Sequence, residues 1–269
     1  MAISEKNIRV GAVNYLNTKP LVYGLAELAP RTEIVFDLPS RLADQLAAGR
    51  LDVALIPSIE LFQNSTYHVI SDACIGCRGA VLSVKMFSRV PMERIETLAL
   101  DEGSRTSVAL VQILLERQYG VRPELRSLPI GAGLEDTDAD AVVLIGDRAI
   151  HSPSGEFAAV WDLGDQWVAG TGLPFVFAMW TARPGVELGE LDMALAAARD
   201  HGVENLDAIA TIESAALGLT QPQCLGYLRD NLNFYFGPEE QQGLELFHRH
   251  AVRLGLAPAG FDLKIESLA

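Results

Sequence analysis

A repeated unit in the first sixty residues limits what this chain can fold into: a short apolar run, a polar corner, then a helical pattern. Ile8–Val13 reads as a buried strand and Asn14-Tyr15-Leu16-Asn17-Thr18 as the corner. A helix follows over Pro20–Leu28, with proline in the first turn, where its missing N–H leaves nothing unpaired. Glu33–Asp37 is the next strand and Ser40–Ala48 a helix that Ser40 can cap. Asp52–Ile56 is a third strand, stopping at Pro57-Ser58. Strands joined by helices pair in parallel, because parallel neighbours need a long crossover. An α/β fold follows. In such folds the corners after the strands gather at one end of the sheet and form ligand clefts.

The unit then repeats. Gly79–Phe87 reads as a longer strand, Thr97–Leu100 as a strand, and Ser104–Tyr119 as a helix with apolar Val108, Leu110, Val111, Leu114 and Leu115. Glu124–Ser127 and Asp140–Ile145 are strands, the second ending at Gly146-Asp147. Pro174–Thr181 is another long apolar strand, and the rest is helical over about 187–201, 205–217, 221–231 and 238–255. The expected architecture is two α/β lobes with a cleft between them. Residues 1–87 and 178–269 form the first lobe and residues 88–177 an inserted second lobe. The strands at 79–87 and 174–181 are the expected crossovers, about which the lobes close. Gly131–Asp140 is the expected surface loop.

Composition removes several function classes. A net charge of −14 repels nucleic acid and anionic lipid, so neither is an expected partner. No segment approaches the ~20 apolar residues of a membrane span. Met1–Asn7 has no apolar core of an export signal, so the expectation is a cytoplasmic protein. Cys74 and Cys77 form a C-x-x-C without a second ligand pair, and the apolar run after them reads as strand rather than as a redox helix. His248 and His250 are two apart, so their rings diverge on a helix. No metal or cofactor is expected. Oligomeric state is not readable.

Four corners carry cleft chemistry: Asn14–Thr18, Pro57-Ser58, Gly103–Ser107 and Gly146-Asp147. The third is the strongest. Gly103 permits a tight turn, free helix N–H groups and the helix dipole favour an anion, and Arg105 can clamp a carboxylate. Ser104 can equally be a plain helix cap, Asn17 a turn residue and Ser58 a cap. Asp147 fits a cap or an Arg148 partner better than an acid catalyst. Ser83 points by alternation either into the cleft or to solvent. Trp161, Trp167 and Trp180 read as core. No corner holds a histidine, and no Ser-His-Asp set, Walker loop or G-x-G-x-x-G is present.

In order, Val13–Leu21, Asp52–Glu60, Gly79–Val84, Ser104–Ser107, Leu144–Ala149, Thr171–Ala178 and Asn231–Glu240 resemble the chorismate dehydratase family, which opens the futalosine route to menaquinone. The resemblance implies a type II periplasmic-binding-protein-like fold. It implies that chorismate loses its ring C3 proton and C4 hydroxyl to give 3-[(1-carboxyvinyl)oxy]benzoate. Aromatisation drives the reaction, so no redox cofactor or metal is required. Carried over by motif, Asn17 and Ser83 are the catalytic contacts near the reacting ring. Ser104, Arg105, Thr106 and Ser107 bind carboxylate, and Tyr15, Ser58 and Gly146 line the remaining wall.

Two other readings share the fold. A sister family forms 1,4-dihydroxy-6-naphthoate and uses a histidine of the second lobe as base. Here the matching strand end is Leu144-Ile145-Gly146-Asp147, and the nearest histidine is His151, which favours the dehydratase. A non-catalytic small-anion binding module, either a solute-binding protein or a regulator's effector domain, is the other class. The first needs an export signal and the second a DNA-binding domain, and the reading of the N-terminus points away from both.

Overall fold

A computed structural model describes residues 7–151 and 155–263. The strand–corner–helix units build two sheets. In the first, β1 (Ile8–Val13), β2 (Thr32–Asp37) and β3 (Val53–Pro57) run parallel. The chain passes from β1 to β2 through a 3₁₀ turn over Leu16–Val22 and a short α1 (Leu25–Leu28), and from β2 to β3 through α2 (Pro39–Ala47). Every residue of β3 is buried, which is why its sequence is an unbroken apolar run rather than an alternation. Then come α3 (Ser58–Gln63) and β4 (His68–Cys77).

The second sheet holds β5 (Val84–Ser88), β6 (Thr97–Asp101), β7 (Glu124–Leu128), β8 (Ala141–Ile145) and β9 (Ala159–Asp162), in the order β7-β6-β8-β5-β9. Helix α4 (Thr106–Tyr119) joins β6 to β7, α5 (Asp147–Ile150) follows β8, and α6 (Leu163–Thr171) follows β9. The chain returns through β10 (Phe175–Ala182), antiparallel between β3 and β4. Helices α7 (Leu191–Glu204), α8 (Leu206–Glu213) and α9 (Gln221–Gly226), a π-helical turn over Tyr227–Asn231, β11 (Asn233–Tyr235) and α10 (Pro238–Arg253) complete the chain. The first sheet has the order β11-β4-β10-β3-β1-β2.

Three expectations are corrected. The strand expected over Gly79–Phe87 is broken: residues 78–83 bend, and β5 starts at Val84. The crossings between sheets are therefore the short segments 78–83 and 172–174, and β10 lies wholly in the first sheet. β4 is the strand the sequence hides, because Ser71, Asp72 and Gly76 interrupt its apolar run. Its burial comes from pairing with β10 on one side and β11 on the other. The helix expected over Pro20–Leu28 is split by Gly24, at φ +70°, and opens earlier as the 3₁₀ turn. Helix α7 lies directly on that turn: a Cβ at Gly202 would sit 2.1 Å from the Pro20 carbonyl oxygen.

The core runs through both sheets. Trp167 meets Phe175 and Phe247 edge-on at 5.2 and 6.1 Å, so α6, β10 and α10 share one aromatic cluster. Trp161, Trp167 and Trp180 are all buried. So are the three cysteines, and burial pushes the Cys77 thiol up to about 12. Neither Cys74 nor Cys77 is a reactive thiolate.

Asp52 ties the strand ends away from the corners. Its carboxylate accepts from the Arg9 backbone N–H (3.0 Å), Arg9 Nε (3.0 Å) and Nη2 (2.9 Å), and Arg183 Nη2 (2.5 Å). The Arg9 side-chain hydrogen bonds, helped by those of the Arg9 backbone and Arg183 and opposed by burial, hold its pKa well below the usual carboxylate range. A folded-state pKa below the unfolded one stabilises the fold above the unfolded value, and that stability is lost as pH falls. Asp52→Asn is therefore expected to cost about 2 kcal/mol at pH 7. The gap to wild type should narrow below about pH 4. Denaturant unfolding of both proteins at pH 7 and pH 3 measures it; an equal gap at the two pH values contradicts the assignment.

Candidate active site

A cleft of about 520 Å³ lies between the sheets, at the C-terminal ends of β1, β3 and β8 and at the start of α4. Its inner surface is apolar, from Val13, Ile75, Val84, Ile145 and Phe177. Its polar groups come from the corners. Tyr15 and Asn17 follow β1, Ser83 precedes β5, Ser104–Ser107 open α4, and Gly146 follows β8. An apolar bed ringed by hydroxyl, amide and N–H donors suits a flat ring that carries carboxylates.

Tyr15 and Gly146 are built for each other. Gly146 has φ +72°, and a Cβ there would lie 2.7 Å from the Tyr15 ring. The Tyr15 hydroxyl would lie 3.7 Å from a Cβ at Gly103, in the corner after β6, which shares its sheet with the Gly146 corner. Burial, then the charge of Asp101, pushes the Tyr15 phenol up to about 12, so it is a neutral donor. Asp101 is itself held by Arg148 and by the Gly103 N–H (2.9 Å). Beside Gly146, Asp147 accepts from the Leu16 backbone N–H at 3.0 and 3.3 Å, a bond between the two halves of the cleft. Burial raises the Asp147 pKa, and its carboxylate does not border the cleft. His151 also lies away from it, with Nε2 2.9 Å from the Leu217 carbonyl oxygen.

At α4, Ser104 Oγ caps the Ser107 N–H at 3.2 Å, so the cap reading of Ser104 is realised within the cleft wall. No hydrogen bond among the described residues takes up the N–H groups of Arg105 and Thr106. Arg105 borders the cleft, but its guanidinium is held by two protein carboxylates, Asp44 at 2.6 Å and Glu60 at 3.1 Å. Its role is a strap from α4 to α2 and α3, rather than the open carboxylate clamp expected from sequence. Ser58 is corrected outright. It is fully buried behind the wall, donating to the Val176 carbonyl at 2.7 Å, with Thr106 Oγ1 3.4 Å away. Thr106 Oγ1 in turn accepts from the Ile59 N–H at 3.3 Å, which joins α4 to the start of α3.

Ser83 is presented by a strained turn. Its N–H bonds the Val81 carbonyl at 2.7 Å, two residues back, and Leu82 between them has φ +59°. This is a γ-turn with a positive central φ, a rare and costly conformation for leucine. Asp162 holds it: Oδ1 accepts from Val81 N–H (2.9 Å) and Oδ2 from Leu82 N–H (2.6 Å). The same Oδ1 caps α6 through Gly164 N–H (3.0 Å) and Asp165 N–H (3.1 Å). Asn231 Nδ2 holds the other side, donating to the Ala80 carbonyl at 2.9 Å. Sequence reading missed both residues. The Asp162-Leu163-Gly164-Asp165 run signals a helix cap, but nothing in it points to residues 81 and 82.

The Tyr15–Gly146 fit generates a prediction. Gly146→Ala should destabilise the protein by about 1–3 kcal/mol, through strain and overlap with the ring. Gly170→Ala, in α6 with nothing within 4 Å of the added carbon, should be neutral or stabilising. Thermal unfolding of the two variants reads the contrast, and equal behaviour contradicts the packing described.

A family model described as "Menaquinone biosynthesis" matches residues 8–253. The chain is 31% identical over 269 residues to a chorismate dehydratase of Thermus thermophilus, covering 93% of this chain and 96% of that one. It is 28% identical over 177 residues to a chorismate dehydratase of Campylobacter jejuni, covering 64% of this chain and 66% of that one. A crystal structure of a protein from Archaeoglobus fulgidus superposes with a TM-score of 0.77 at 17% identity, covering 94% of this chain and 99% of that one. The alkanesulfonate-binding protein of Xanthomonas axonopodis superposes with a TM-score of 0.66 at 12% identity, covering 94% of each. These two establish the periplasmic-binding-protein-like fold. The match over nearly the whole length, together with the dehydratase relatives, shows that the chain belongs to the menaquinone-biosynthesis family.

Proposed function

We propose that this protein is a hydro-lyase that dehydrates chorismate to 3-[(1-carboxyvinyl)oxy]benzoate. One observation carries the chemistry. Among the described residues that border the cleft there is no carboxylate, imidazole or thiol, only neutral donors and Arg105 around an apolar bed. Such a site can hold a ring dianion, but it has no group of its own suited to take a proton at neutral pH. The proton must then go to the substrate. Chorismate carries a carboxylate on its enolpyruvyl arm, tethered to the carbon that loses hydrogen. That carboxylate takes the C3 proton, the C–H pair becomes the C3=C4 bond, and the C4–O bond breaks to release hydroxide. Protonation of the hydroxide gives water. A well-aligned intramolecular group reaches effective molarities on the order of 10⁵ M, which replaces a strong base.

In this reading Asn17 and Ser83 orient the arm and donate to the departing oxygen. The free N–H groups and hydroxyls of Ser104–Ser107 hold the ring carboxylate, aided by the α4 dipole. The neutral Tyr15 phenol donates from the opposite wall.

Purified protein should convert chorismate to a benzoate-type product one water lighter, with no added metal, flavin or nucleotide and in the presence of EDTA. Mass spectrometry and ultraviolet absorbance follow it. Asn17→Ala and Ser83→Ala should each lower kcat roughly 100-fold or more while leaving the fold intact. Asp147→Asn, which keeps an acceptor for Leu16, should retain most activity. Loss of turnover in Asp147→Asn with binding preserved points to a protein base, and unchanged chorismate with wild type points to a binding module.

Arg105→Ala would leave Asp44 and Glu60 unpaired beside a dianion. Its KM should rise about tenfold or more. An unchanged KM means that the strap has no bearing on substrate.

A further inference from the structure

Tyr227 is a buried polar group that the mechanism above leaves unused. It opens the π-helical turn Tyr227–Asn231, and its side chain is 1% exposed. Its hydroxyl makes no hydrogen bond of good geometry among the described residues. Burial drives its pKa far up, and the neighbours acting on it through hydrogen bonding are Ser83 and Asn17, in that order. The phenol therefore stays protonated, next to both proposed catalytic groups but aligned with neither.

Those two groups have matching capacity to spare. Ser83 Oγ makes a long bond of 3.4 Å to the Val81 carbonyl. Asn17 Oδ1 accepts from Thr18 Oγ1 at 3.3 Å, which leaves its second lone pair. The turn carrying Tyr227 also carries Asn231, whose amide grips the segment ending at Ser83. π-helical turns recur at functional sites because the extra residue re-aims a side chain. A phenylalanine would fill the same volume without burying an unpartnered hydroxyl, so packing alone does not account for tyrosine here.

We propose that Tyr227 is a positioning residue whose hydroxyl bridges the Ser83 hydroxyl and the Asn17 side chain and fixes the direction in which both face the substrate. The bridge forms by small shifts of the three groups when the cleft is filled. It requires no contact between Tyr227 and substrate, in keeping with its place behind the wall. The inference rests on the dehydratase reading.

The test compares wild type, Tyr227→Phe, Ser83→Ala and the double variant, using chorismate turnover and thermal unfolding. Tyr227→Phe should lower kcat about tenfold or more, as removal of an outer partner of a functional group does elsewhere. KM should change little, and Tm should hold or rise, because the variant buries one polar atom fewer. The double variant should be about as slow as Ser83→Ala alone, since residues in one network are not additive. A fall in kcat with an unaltered or higher Tm is what a merely structural tyrosine cannot give. Wild type active with Tyr227→Phe at full kcat overturns the inference alone, as does a double variant whose losses simply multiply. Wild type inactive on chorismate overturns the dehydratase reading and this inference with it.

Discussion

Four backbone N–H groups converge on the carboxylate of Asp162, and the position of Ser83 depends on them. A γ-turn with leucine at positive φ relaxes unless its surroundings forbid it. Asp162 forbids it by making the turn share its acceptor with the first turn of α6. That helix is fixed in turn: Trp167 Nε1 donates to the Pro174 carbonyl at 3.1 Å, and its ring packs on Phe175 and Phe247. Strain at one hydroxyl is thus carried by a helix cap and an aromatic cluster on the far side of the second crossing.

The two halves of the cleft meet through several polar ties. Asp147 binds Leu16, Arg105 binds Asp44 and Glu60, Thr106 binds Ile59, and the Ser40 N–H donates to the Gly103 carbonyl at 3.2 Å. Each joins a segment on the first-sheet side of the cleft to one on the second-sheet side. The corner after β1 lies directly on the corner after β8, which is why Gly146 must leave room for the Tyr15 ring.

Much of this was legible from local pattern. The buried parallel strands β1, β3, β6 and β8 are apolar runs ending in polar corners, and all four corners reach the cleft, the second through Pro57 rather than Ser58. Asn17, Tyr15, Gly146 and Ser104–Ser107 follow from that rule. What escaped depended on distant partners. β4, β9 and β11 are short or interrupted, and become strands through the neighbours they pair with. Ser58 obeys the corner rule but is covered by Thr106 and β10. Arg105 looked free because Asp44 and Glu60 lie more than forty residues earlier in the sequence. Ser83 was named for its motif, while the bend that presents it is imposed by Asp162 and Asn231, which follow it by 79 and 148 residues.

The Arg105 strap has a consequence for how fast a ligand arrives. Arg105 is the one cation among the described residues bordering the cleft, and two carboxylates already occupy it. A dianion approaching a chain of net charge −14 therefore meets no attractive long-range field, only dipoles that act within a few ångströms. Encounter is unassisted, and dissolved salt shortens the repulsion rather than weakening an attraction. Such a cleft discriminates after contact, by shape and donor placement. It is also spared from collecting the small inorganic anions that an open arginine would hold.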